Sequence, residues 1–169
     1  MRIFNVLKKK ILIWIVNNVF NGTRFFKIKA KLLRLCGYDI GFDSKIVGPI
    51  KIGNVSQLTI GESCWIGRDL TIDGNGCVVI GNNVDIASEV LIHTGSHIVG
   101  NSIRRAGKGR TLNVTIGNGC WIGTRAVIIE GANILESSIV GAGTVVNVTN
   151  TANSLICGNP GKVKKTYKY

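Results

Sequence analysis

"VTIGNGCWIGTRAVIIEGANILESSIVGAGTVV", residues 114–146, repeats one feature every six residues. Ile116, Ile122, Ile128, Ile134, Val140 and Val146 stand six apart, and glycine follows Ile116, Ile122 and Val140. A period of six fits neither an α-helix nor a strand that alternates at two. It fits a short strand and a turn, repeated. Four residues after many of the large apolar positions comes a smaller one: Cys120, Ala126, Ala132, Ser138 and Thr144 here, and Cys64, Val84 and Ser96 upstream.

Working outward, the register runs through Ile60, Ile66 and Ile72, then Ile80, Ile86, Ile92 and Ile98, with a weaker set at Ile40, Ile46 and Ile52. Three such steps close one triangular coil of about 18 residues in a hexapeptide β-helix. The chain is therefore expected to be all-β, a β-helix with coils opening at Ile40, Ile60, Ile80, Ile98, Ile116 and Ile134. The isoleucines should stack inside. Cys64 and Cys120 read as small buried hydrophobes, and the glycines after isoleucine as turn formers rather than phosphate cradles. The register fails between Ile98 and Ile116, where Arg104 and Arg110 would have to point inward. "GNSIRRAGKGRTLN", residues 100–113, is expected to loop out within a segment 99–115. Long loops on a rigid scaffold commonly carry function.

The chain of 169 residues is long enough for one domain with a sizeable core. Its net charge of +12 suggests an anionic partner. The charge sits at the ends: residues 1–38 hold nine Lys/Arg and no Asp or Glu, and four Lys follow Gly161. The expected organisation is a basic, helical arm over 1–38, a β-helix over 39–148 and a tail over 149–169. No aromatic–basic interleaving of the kind that binds RNA is present, so nucleic acid is not an expected partner. Five cysteines without a CxxC pair indicate neither a zinc site nor a disulfide framework, and a reducing, cytoplasmic setting is the default. The apolar run Ile11–Val16 is too short for a span and lacks a small-residue cleavage site, so no signal peptide is read.

In the arm, Phe4, Leu7, Ile11, Trp14 and Ile15 recur at helical spacing, with Lys8, Lys9 and Lys10 on the same turns. "RFFKIKAKLLRL", residues 24–35, follows. Two expectations stand: an amphipathic helix packed over an end of the β-helix, or peripheral contact of residues 1–35 with an acidic membrane surface.

Both histidines, His93 and His97, lie in "VLIHTGSHIVG", residues 90–100. Core packing, metal ligation and base catalysis are all open to them on residue type alone. A three-histidine zinc site, as in the trimeric carbonic anhydrases, would need a ligand from a symmetric neighbour, so no metal is expected.

"TGSH" (94–97), "VTIGNGCWIG" (114–123), "IVGAGTVV" (139–146) and "GNPGKV" (158–163), in that order, resemble the hexapeptide-repeat acyltransferases. The similarity covers about residues 40–165 and is greatest to the branch of galactoside, maltose and colanic-acid O-acetyltransferases. "HIVGNSIRRAGKGR", residues 97–110, is similar to the loop of the colanic-acid type. The resemblance implies a left-handed parallel β-helix, whereas the general crossover rule would favour a right hand. It implies a homotrimer with acetyl-CoA in a groove between subunits, and an acetyl-CoA-dependent O-acetyltransferase acting on a sugar or lipid-linked glycan hydroxyl.

By position, the resemblance makes His97 the general base, a role suited to imidazole. Trp121, Thr124 and Ala142 would line the cofactor groove, the Thr124 amide facing a developing oxyanion. Lys162 and Lys165 would meet CoA phosphates. Asn75 falls near an acidic acceptor-binding position of the galactoside branch, and an amide there departs from that branch, so the resemblance does not fix the acceptor. His93, Arg104 and Arg105 are further acceptor candidates. The plainer readings are a turn residue for His93, a solvated loop for the arginines and a solvated tail for the lysines. Trp65 reads as packing. Other acceptors, such as serine or an antibiotic, and a non-enzymatic β-helix binding protein are the alternatives. Membrane contact through the arm would bring the enzyme to lipid-linked glycans at the inner face of the membrane.

Overall fold

A computed structural model of the chain describes residues 2–53 and 57–168. Two helices, α1 (Arg2–Asn18) and α2 (Phe26–Leu35), precede a parallel β-solenoid. Its first face stacks Asp39–Ile40, Gln57–Ile60, Cys77–Ile80, Val114–Ile116 and Asn133–Ile134. The second stacks Lys45–Ile46, Trp65–Ile66, Asp85–Ile86, Trp121–Ile122, Ile139–Val140 and Ser154–Cys157. The third stacks Ile50–Ile52, Leu70–Asp73, Leu91–His93, Val127–Ile128 and Val145–Val146.

Register explains the six-residue period. Ile40, Ile60, Ile80, Ile116 and Ile134 are aligned neighbours on the first face. Ile46, Ile66, Ile86, Ile122, Val140 and Ile156 align on the second. All are buried, as are Ile92 and Ile128 of the third face, so each branched side chain packs on its own kind one coil away. Cys64 and Cys120 are buried and burial pushes both thiols up, which makes them packing groups rather than nucleophiles.

Two expectations need correction. No coil opens at Ile98. The first-face strand at Ile80 pairs directly with the one at Ile116, and Ile98 is 55% exposed in an antiparallel hairpin of Gly95–Val99 with Ala106–Thr111. The excursion thus begins at Gly95 rather than 99, and the chain is back in the first face by Val114. The glycines after isoleucine also serve differently than expected. Gly41, Gly61 and Gly117 need no left-handed backbone. A Cβ on Gly61 would lie 2.6 Å from the Gly81 carbonyl carbon, so what they supply is room for close coil stacking. The left-handed residue comes two positions into each turn, at Asp43, Ser63, Asn83 and Gly119 with φ of 54°, 54°, 54° and 67°, a region that Asp, Asn and Gly enter more readily than other residues.

The arm covers the N-terminal coil. Lys29, Ala30 and Leu33 of α2 and Val16 of α1 are buried in the continuous core. Asn17 donates to the Ile50 carbonyl at 2.8 Å and accepts from the Ile50 amide at 2.9 Å, occupying an open strand edge. Lys29 donates to the Val47 and Gly22 carbonyls, its ammonium 4.8 Å from the Phe26 ring, and burial lowers its pKa to about 8. Trp65 packs against Phe26, ring centroids 5.9 Å apart. At the far end Lys162–Thr166 pairs antiparallel with Ser154–Cys157.

Candidate active site

The hairpin that interrupts the solenoid carries His97. Thr94, fully buried, anchors its base: its hydroxyl donates to the Asp73 carbonyl at 3.0 Å and accepts from the Gly76 amide at 2.9 Å. Its own amide donates to Asp73 and its carbonyl accepts from Leu112, the residue that follows the hairpin. Thr94 thereby ties the Gly74–Gly76 turn to the hairpin stem. A Cβ on Gly76 would fall 1.9 Å from the Leu112 carbonyl oxygen, so only glycine lets the turn approach so closely.

This juxtaposition makes an open depression of about 510 Å³ lined by Asn75, His93, Ser96, His97, Arg110 and neighbouring backbone. The His97 ring is exposed, and its Nδ1 lies 2.9 Å from the Gly107 carbonyl oxygen across the hairpin. A carbonyl only accepts, so Nδ1 carries the proton of the neutral ring and Nε2 keeps the lone pair. His93 ends the third-face strand at Leu91–His93, and Gly95 leaves room beside its Nε2.

Glu130, in the turn one coil on, braces the hairpin from outside. Its carboxylate accepts from the Ser96 hydroxyl and from Arg110. The Ser96 hydrogen bond foremost, and Arg110 with it, hold this carboxyl below the usual range against a smaller opposing effect of desolvation. Neither Glu130 nor Arg110 stands out in sequence. Arg110 shows only as a charged residue where the broken register wanted an isoleucine. Arg104 and Arg105, in contrast, lie near the exposed hairpin tip and do not line the depression.

A second concavity of about 370 Å³ lies on the second face, lined by Ala87, Trp121, Thr124, Ala142 and adjoining backbone. The exposed Trp121 indole forms one wall, and the Thr124 hydroxyl is committed to the Ser88 carbonyl at 2.7 Å. Three of the expected cofactor residues therefore meet in one groove. Lys162 and Lys165 lie apart from it on the exposed final strand, with the Lys165 ammonium 4.8 Å from the Tyr167 ring. Among the described residues no group of three or more His, Cys, Asp and Glu side chains is placed to hold a metal ion.

No family model matches the chain. The putative colanic acid biosynthesis acetyltransferase WcaF of Escherichia coli (strain K12) is 33% identical over 141 residues, 82% of this chain and 74% of that protein. The chain belongs to the hexapeptide-repeat acetyltransferases. Galactoside O-acetyltransferase of the same strain is 32% identical over 124 residues, 73% of this chain. The match spans 61% of that relative's length. A solved galactoside acetyltransferase in complex with coenzyme A superposes with a TM-score of 0.80 at 27% identity, over 96% of this chain and 80% of that one. The maltose O-acetyltransferase from Clostridium difficile 630 superposes at 0.74 with 25% identity, over 98% and 89%. The solenoid is thus the left-handed β-helix of these acetyltransferases. Their hand, not the general crossover rule, is the one this chain follows.

Proposed function

We propose that the chain transfers an acetyl group from acetyl-CoA to a sugar hydroxyl, with Nε2 of His97 as the base. The observation that carries this reading is the His97–Gly107 hydrogen bond, which sets the tautomer of the neutral ring so that its lone pair sits on Nε2, at the rim of a depression wide enough for a sugar ring. As the acceptor hydroxyl attacks the thioester carbon, its proton passes to Nε2 and a C–O bond forms. The tetrahedral oxyanion, facing the Thr124 amide, then collapses with cleavage of the C–S bond. The departing CoA thiolate takes the proton back from the imidazolium. Asn75, His93 and Arg110 surround the acceptor, and Lys162 and Lys165 meet the CoA phosphates.

The base and the cofactor groove lie on different parts of one prism and share no lining residue. In this reading a neighbouring copy brings its groove to this hairpin, and a closed ring of three would do so at every interface. The galactoside, maltose and colanic-acid relatives support the sugar acceptor and CoA.

Release of free CoA in the presence of galactosides, maltose and glycan intermediates tests the reading. His97→Asn keeps an amide donor for the Gly107 carbonyl but has no Nε2. It should lower kcat by about 10²–10⁴-fold with the acetyl-CoA KM unchanged. Near-normal turnover would remove His97 from the chemistry.

A further inference from the structure

One face of α1 packs, and the opposite face is left bare. Phe4, Leu7, Ile11 and Trp14 are spaced by three and four residues and so form one stripe along the helix. They are 73%, 55%, 50% and 59% exposed. Val16 on the opposite side is fully buried, and Lys9 is turned inward, its ammonium 5.0 Å from the Tyr38 ring. Lys8 and Lys10, both exposed, fall one position to either side of the stripe, where long side chains reach past an apolar layer to a polar one. Beside α1, the exposed Arg24, Lys27 and Lys31 add charge of the same sign. Residues 1–38 contain no Asp or Glu to neutralise them, and the ion pairs among the described residues all lie in the solenoid and its hairpin, beyond residue 38.

We propose that this face of α1 docks on an anionic lipid bilayer, the helix lying in the interface plane with Phe4, Leu7, Ile11 and Trp14 in the acyl boundary and Lys8 and Lys10 at the headgroups. Shape and charge both select that occupant. Water disfavours so long a row of exposed apolar side chains. Two copies pairing this face with itself would set Lys8 and Lys10 against their own kind, whereas an anionic leaflet complements them. No helix of the described residues is long and apolar enough to cross, so contact is lateral. The surface does not depend on the acetyl-transfer reading. It would hold the solenoid beside acceptors carried on lipid.

Sedimentation of the full-length protein with vesicles of equimolar phosphatidylglycerol and phosphatidylcholine tests this, with light scattering on the same samples without lipid. The protein should sediment at low salt, less at high salt, and not with phosphatidylcholine alone. Lys8→Gln with Lys10→Gln should weaken binding by roughly 20–30-fold. Leu7→Gln with Ile11→Gln should abolish it, with the mass in solution unchanged for both pairs. Absence of binding at low salt, or binding indifferent to both pairs, overturns the proposal. So does a fall in mass on Leu7→Gln with Ile11→Gln, which would make this face a contact between copies of the chain.

Discussion

Thr94→Val removes one hydroxyl and keeps the shape of the side chain, so it isolates the tie beneath the His97 hairpin. In the parent the hydroxyl joins the Asp73 carbonyl to the Gly76 amide. The Asp73 carbonyl keeps a partner in the variant, the Thr94 amide at 2.9 Å. The buried Gly76 amide does not keep the hydroxyl. An orphaned buried donor costs about 1–3 kcal/mol. At about 2–4 °C per kcal/mol for a chain of this size, the melting temperature should fall by roughly 2–12 °C. Calorimetry at fixed protein concentration measures it. The same loss frees the Gly74–Gly76 turn, and Asn75 with it, at the depression proposed to hold the acceptor. The acceptor KM should therefore rise while the acetyl-CoA KM stays put, because the Trp121 groove is untouched. Thr94→Ser restores the hydroxyl and loses only a methyl, worth about 0.8 kcal/mol. It should recover the acceptor KM. If valine leaves melting temperature and acceptor KM at parental values, or serine raises the KM as much as valine, the tie does not hold the site.

Glu130→Gln should make the acid limb of the melting temperature against pH shallower. Because folding lowers the Glu130 pKa, its contribution is complete above the ordinary glutamate range and disappears as pH falls through the folded value. Curves for parent and variant should converge at the acid end, and parallel curves would show that the carboxylate does not brace the hairpin. Lys162→Gln with Lys165→Gln should raise the acetyl-CoA KM and flatten its dependence on salt, with kcat unchanged at saturation. An unaltered KM would leave both as solvated charges.

The hexapeptide period alone determined the coils on either side of the His97 hairpin. A residue that must face inward at every third of a turn writes itself into the sequence at fixed spacing, which is why Ile80, Ile86, Ile116 and Ile122 were readable as core. The resemblance of the motifs singled out His97, and it named Trp121, Thr124 and Ala142, which the fold gathers along one concavity. Where the period breaks, the pattern misleads. Ile98 satisfies the spacing by coincidence, but the chain has already turned antiparallel at Gly95, and pairing across the hairpin sends that side chain to solvent. The contacts that shape the depression were not legible either. Asn75 meets His93 and His97 because successive coils rise one strand spacing, and Glu130 braces Ser96, 34 residues earlier, for the same reason. Which ring nitrogen of His97 keeps its lone pair depends on a carbonyl ten residues away. Local periodicity fixes what is buried. Only the stacking of coils, and the one hairpin that leaves the stack, decides which polar groups come together.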